Sequence, residues 1–230
     1  MSSNVSVVGD PTQVEVGGKR FYRVEFSDGT FRHLRSVTSI THGAKIPSFL
    51  DEWQMQQCEA LGVKGYKDAM NQKAQDGTDL HKLIEEHIAG MDYEIDDADI
   101  RRMFESYLRW EEKRKPEWIW NEKTVYSLKH GYAGRCDAKA KVNGRIPIID
   151  FKSAKKAQDE HKEQGVAYLV ADSEMGPEIL PDSVLILCLG SETQQGFTET
   201  WLDNPYDIIQ HFLGFQLKSH IVSFHNPILI

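Results

Sequence analysis

The chain has little cysteine, no long apolar run and no excess of positive charge. Its three cysteines, Cys58, Cys136 and Cys188, are widely spaced and form no CxxC pair. That excludes a disulfide framework and a cysteine-ligated zinc or iron–sulfur site. A reducing cytoplasm is the setting that fits this usage. No stretch is long and apolar enough to span a membrane, so no membrane partner is expected. Met1–Asp10 lacks both the basic-then-apolar signature of a secretion signal and the Arg-rich character of a transit peptide. The net charge of −8 and pI of about 5.6 argue against a protein that coats nucleic acid by bulk electrostatics. They leave open an enzyme that holds nucleic acid in a locally basic groove, since carboxylates gathered for a metal themselves bias the total towards acid.

What is there suffices for one sizeable domain: 230 residues, of which 40% are hydrophobic and 27% charged. Residues 13–34 read as a β-hairpin, with alternation through Phe21–Phe26 between Gly17-Gly18 and Asp28-Gly29. Ser36–Ile40 is a short segment, and Pro47-Ser48 opens a helix over Phe49–Leu61. Further helices are predicted over about Tyr66–Ala89, stopped by Gly90, and about Asp97–Lys115, closed by Pro116. Strands follow at Trp118–Tyr126, Tyr132–Val142 and Arg145–Lys152, with Asn143-Gly144 as the turn between the last two. A helix over about Ala157–Ala171, strands at Val184–Leu189 and Gly196–Leu202, and a helix over Pro205–Val222 complete the pattern. The expectation is one α/β domain over 1–230: a hairpin (13–34), a helical part (36–116) and an α/β core (117–230), with a mixed central sheet flanked by helices.

Asp137 and Asp150 are the strongest chemical signal. Aspartate is disfavoured inside strands, so each needs a reason. A hairpin brings both to one end of a sheet, and Asp150 shares a strand face with Lys152. Ile146, Ile148, Ile149 and Phe151 around Asp150 suggest a buried strand, where a carboxylate is costly unless paired or metal-bound. A structural Asp150–Lys152 salt bridge is one explanation. A divalent-metal site that activates water, suited to phosphodiester hydrolysis, is the other.

The surrounding motifs favour the second. Asp137 followed by Asp150-Phe151-Lys152 resembles the PD-(D/E)xK nuclease superfamily. Gln164-Gly165-Val166-Ala167-Tyr168 is similar to the QxxxY motif of its RecB-like exonuclease branch, and Gly77-Thr78-Asp79-Leu80-His81 to that branch's upstream GxxxH element. Glu122-Lys123-Thr124-Val125 resembles its E-x-x-V strand. Ser36-Val37-Thr38 and Trp53 are further points of likeness to mitochondrial genome maintenance exonucleases and related phage exonucleases. The match runs in the family's order from about residue 36 to 172, and five weak motifs in sequence make a specific one.

The resemblance implies a restriction-endonuclease-like core with a helical segment over the cleft. It implies Mg²⁺ or Mn²⁺ held by His81, Asp137, Asp150 and the backbone carbonyl of Phe151, and no iron–sulfur cluster. Lys152 would orient water and stabilise the transition state; next to carboxylates it stays charged, so positioning suits it better than base catalysis. Glu122 would hold a metal ligand in place or bind a second metal, or equally be a polar residue on a strand face. Gln164 and Tyr168, one helical turn apart, share a face that the resemblance directs at the site. His81 alone would read as a surface histidine, and the Gln164/Tyr168 pair alone as helix packing. DNA contacts are expected from Ser153, Lys155 and Lys156 beside the site, and from Arg109 and Trp110 on a mixed-charge helix. The implied substrate is DNA, single-stranded or with free ends, with a separate recombination or helicase partner, and the implied setting is phage or bacterial DNA recombination, repair or degradation. An endonuclease of the same superfamily and a non-catalytic binding module are the competing readings.

Overall fold

The structure, a computed structural model, describes residues 5–43, 52–190 and 192–225. Its centre is an open, mixed eight-stranded sheet. The strands are β1 (Val7–Val16), β2 (Lys19–Phe26), β3 (Phe31–Ser36), β4 (Glu117–Ser127), β5 (Tyr132–Lys141), β6 (Pro147–Lys152), β7 (Ser183–Cys188) and β8 (Thr198–Leu202). The helices are α1 (Val37–Gly43), α2 (Glu52–Ile88), α3 (Ala98–Arg114), α4 (Asp159–Glu174) and α5 (Pro205–His225). Helices α2 and α3 cover one sheet face and α1, α4 and α5 the other, so β6 and β7 are buried on both sides and read as continuous apolar runs.

Local sequence explains most boundaries. Asp97 caps α3, its carboxylate accepting from the N–H groups of Asp99 and Ile100, and Lys115 ends it in a left-handed conformation before Pro116. Gly62, at φ 70° and ψ 161°, breaks α2 where two separate helices were expected. The start of the helix expected at Pro47-Ser48 lies outside the described residues, as does the side chain of Trp53.

Two expectations need correction. The hairpin of 13–34 is a three-stranded meander, β1–β2–β3. Its first strand begins at Val7, because a register shift between Val8 and Thr12 absorbs Gly9-Asp10-Pro11, which reads as a break in the sequence. Ser36–Ile40 is not merely a short segment: the chain turns from β3 directly into α1.

The decisive feature of the sheet is the edge of β5. Antiparallel β4 occupies one edge along the strand's whole length. The other edge is shared. Parallel β3 pairs at Arg35↔Tyr132 and Ser36↔Ala133, and antiparallel β6 pairs at Ala138↔Ile149 and Lys139↔Ile148. Between these pairings the edge forks, and Gly134 to Asp137 lie in the gap. On the α4 side a buried Lys139–Asp172 pair (2.6 Å), with Lys139 also donating to the Ile179 carbonyl, ties β5 to α4. Helix α4 sits close on the sheet through Gly165: a Cβ there would lie 2.4 Å from Val184 Cγ1 and 3.2 Å from Ile186 Cδ1.

Gly165→Ala is therefore expected to destabilise the protein by about 1–3 kcal/mol through overpacking. Gly77→Ala, whose Cβ would meet only Ser153 Oγ at 3.4 Å, should be neutral or gain up to about 1 kcal/mol of helix stability. Urea unfolding of the two variants checks the contrast; equal midpoints would rule out the tight α4–β7 contact.

Candidate active site

The fork leaves the backbone of Phe151 without a neighbouring strand on one side. On its other edge β6 pairs in parallel with β7, through Asp150↔Ile186, Phe151↔Leu187 and Lys152↔Cys188, and the Lys152 carbonyl accepts from Leu189 N–H on that side. The Phe151 groups point the opposite way, into the gap. There Phe151 N–H donates to Asp137 Oδ2 (2.8 Å), and its carbonyl accepts from His81 Nε2 (2.8 Å). His81 Nδ1 lies 3.4 Å from Asp137 Oδ1, closing a ring of side chains around one peptide unit. His81 reaches the gap because its neighbours on α2, Leu80, Leu83 and Ile84, are buried in the core shared with α3. The Phe151 ring itself is held edge-on by Tyr107 and His81.

Asp150 points to the same face as Lys152, and Lys152 Nζ lies 2.8 Å from Oδ1 and 2.7 Å from Oδ2. Only the first contact is a well-formed hydrogen bond, so Oδ2 is a fully buried acceptor with no hydrogen-bond partner. The two carboxylates titrate in opposite directions. Burial pushes Asp150 up, and the neighbouring Asp137 charge adds to this against the pull of Lys152. Asp137 resists its burial and ends below the usual range, because His81, Lys152 and the Phe151 N–H all favour its anion. His81 is raised, the attraction of Asp137 outweighing desolvation, and Lys152 is raised by Asp150 and Asp137 despite its burial.

Glu122 joins this group from β4. It lies between the pairs Asn121↔Ala138 and Lys123↔Cys136, opposite Asp137, and holds a left-handed backbone (φ 50°) that is strained for a glutamate in a strand. Burial, then Asp137, pushes its pKa up to about 7, while its ion-pair partner Arg135 pulls it down. His81, Glu122 and Asp137 each bring a donor atom within 4.8 Å of the others. This cluster thus contains Glu122, whose role the sequence left undecided. Asp150 stands behind, turned onto Lys152, because a buried carboxylate takes its nearest counter-charge.

The remaining motif lies on α4. Tyr168 is packed against Gly134, where a Cβ would come within 2.6 Å of its ring, and Gln164 Nε2 donates to Tyr168 Oη (3.1 Å). Both line a cleft of about 870 Å³ together with His81, Glu122, Asp137, Lys152 and Ser153. Burial raises the Tyr168 phenol well above its ordinary value, so it remains a proton donor. His161, one turn before Gln164, lines the cleft too. It accepts from Gln158 N–H through Nδ1, and burial with the Lys152 charge lowers its pKa to about 4.

Of the residues expected to meet DNA, Ser153 lines the cleft and the others do not. Trp110 is fully buried, and its indole donates to Glu199 (2.8 Å), so it presents no face for base stacking. Arg109 is exposed but donates to the Gln195 carbonyl and to Ser106, away from the cleft. Trp110 thus ties α3 to β8 through Glu199, and Arg109 ties it to the loop before β8. Lys155 pairs with Glu192, and neither Lys155 nor Lys156 lines the cleft. Sequence reasoning missed His161, Lys73 and Arg20, which do line it. His161 and Lys73 were findable, sitting three before Gln164 and eight before His81 on the same helical faces. Arg20 had no local signal. The chain matches no protein-family model and no curated protein.

His161 should titrate far below the ordinary histidine value, near pH 4, by ¹H–¹⁵N NMR of the ring nitrogens. Because its folded pKa lies below the unfolded one, the unfolded chain binds the extra proton between about pH 6.5 and 4, and this group's contribution to stability falls as pH drops through that window. A midpoint near 6.5 would mean that the imidazole is solvated.

Proposed function

We propose that the chain is a Mg²⁺- or Mn²⁺-dependent DNA exonuclease of the PD-(D/E)xK, RecB-like type, hydrolysing phosphodiester bonds from single-stranded ends in phage or bacterial DNA recombination, repair or degradation. The observation that carries this reading is that four separated sequence motifs converge on one forked sheet edge, where His81, Glu122, Asp137, Lys152, Gln164 and Tyr168 line a single cleft and the Phe151 peptide bonds to His81 and Asp137.

The residues fit a hard divalent cation. Carboxylate oxygens and an imidazole nitrogen lie within 4.8 Å of one another, and Asp150 adds a buried carboxylate oxygen that the Lys152 ammonium contacts at 2.7 Å. His81, Asp137, Asp150 and the Phe151 carbonyl would hold the ion, with Glu122 at its side. When bound, it would acidify water and neutralise charge developing on the scissile phosphate.

The chain's own groups do the rest. Lys152, kept charged by two carboxylates, holds Asp150 in place and offers its ammonium to a phosphate oxygen at the cleft wall. Asp137 remains ionised over the working pH range and fixes His81 by hydrogen bonding. Tyr168 receives a bond from Gln164, which leaves its own phenolic proton for an acceptor in the cleft. Glu122 is raised to about 7 by burial and by Asp137; beside a divalent cation its anion would be favoured, which would make it a ligand rather than a proton donor.

The test uses 5′- and 3′-labelled single-stranded, blunt and circular DNA with Mg²⁺, Mn²⁺ or EDTA. Shortening of linear strands that EDTA abolishes is expected; cleavage of circles would replace exonuclease by endonuclease, and no metal-dependent cleavage would favour a binding module. Asp150→Asn should lower the rate by at least about 10²–10³-fold with the far-ultraviolet circular dichroism unchanged. Wild-type rates in that variant would mean the site is misassigned.

A further inference from the structure

A second groove continues the cleft away from the carboxylates. It is lined by Gly18, Lys19, Arg20, Arg35, His42 and Val222 among others, and shares Arg20, Thr38, His42, Ala74 and Thr78 with the cleft itself. Among the described residues no aspartate or glutamate lines it, although the chain as a whole carries a net charge of −8. Its cations come from the N-terminal meander, which the family resemblance leaves without a role. Lys19 and Arg20 open β2 beside the Gly17-Gly18 turn, and Arg35 is the penultimate residue of β3, one before the Ser36↔Ala133 pair that begins the fork. Lys73, on the cleft wall of α2, extends the same row of charge towards His81.

The geometry points to this groove as a binding track for the backbone of one DNA strand, running from the acidic centre over the β2 end of the meander; this rests on the nuclease reading above. Three observations favour a polyanion of this kind. The two cavities are continuous, so one chain can occupy both. The charge changes sign along the path, from carboxylates that suit a metal to guanidinium and ammonium groups that suit phosphates. The lining between them is small and polar: Thr38, Ser39, Ala74, Gly77 and Thr78, which lets a backbone approach closely. The track is bounded by α2 on one side and the sheet on the other, which suits a single strand. Glu15, opposite Arg20 in the β1–β2 register, does not line it.

The test measures fluorescence anisotropy of a labelled oligothymidylate of about 12 nucleotides in EDTA, where no cleavage competes. K19A/R20A should raise Kd roughly tenfold at about 0.1 M salt and flatten the log–log salt slope by about 1.4, or about 0.7 for each lost phosphate contact. R101A/R102A, which removes the same charge from α3, should leave both within twofold. K19E alone gives the same reading should the double variant fail to fold, since Lys19 is an exposed residue at a strand start. Affinity unchanged by K19A/R20A, or lost only with R101A/R102A, would overturn the track even if the wild type cleaves DNA. A blunt duplex bound as tightly, and as dependent on Lys19 and Arg20, would overturn the single-strand assignment. Loss of binding with K19A/R20A in a protein that cleaves no DNA would uphold the track and sink the nuclease reading instead.

Discussion

One peptide unit organises this molecule. Where β5 parts from β6, the N–H and carbonyl of Phe151 face a gap in which no strand can pair with them, and a buried backbone pair left without partners costs several kcal/mol. Asp137 satisfies the donor and His81 the acceptor. These two bonds bring β5, β6 and α2 to the same point. They also fix a carboxylate and an imidazole beside Asp150 and Lys152, so the requirement that completes the sheet is the one that assembles the candidate site.

The same crowding sorts the titratable groups. Asp137 collects hydrogen bonds and cations and stays an anion; Asp150 and Glu122, buried beside it, are pushed upward. Carboxylates held at different proton affinities a few ångströms apart are the arrangement that acid–base and metal chemistry both use. The buried phenol of Tyr168 and the neutral imidazole of His161 add a donor and an uncharged wall. The acidity of the chain and the basic groove of its N-terminal meander are compatible because the carboxylates gather at the fork, where Lys152 and Arg135 pair with them, while lysine and arginine line the continuation.

Much of the core was legible from sequence. The α3 boundaries followed from Asp97 and Pro116, the β5–β6 turn from Asn143-Gly144, and β7 from an unbroken apolar run, because caps, turns and two-sided burial leave local marks. Glycines 134 and 165 sit beside motif residues for a reason that no local pattern reveals: one makes room for Tyr168 and the other for Val184. The meander was misread at its start because a bulge interrupts alternation as a loop would. The aromatic and basic residues of α3 suggested a nucleic-acid surface, yet Trp110 and Arg114 both end on Glu199. Their partner lies about 90 positions away, where periodicity carries no information.

By itself the sequence determined residue types and spacings: an aspartate before a turn, an Asp-x-Lys on one strand face, a histidine on a helix after a glycine, and Gln164 and Tyr168 one turn apart. Helical and extended periods make such relations local, so they survive without coordinates. Only the tertiary structure decided that the edge of β5 divides between β3 and β6. That division depends on pairings between distant strands, and it determines that Glu122 joins His81 and Asp137 in one cluster of donor atoms, and that the cleft opens onto a basic groove built by the N-terminal meander.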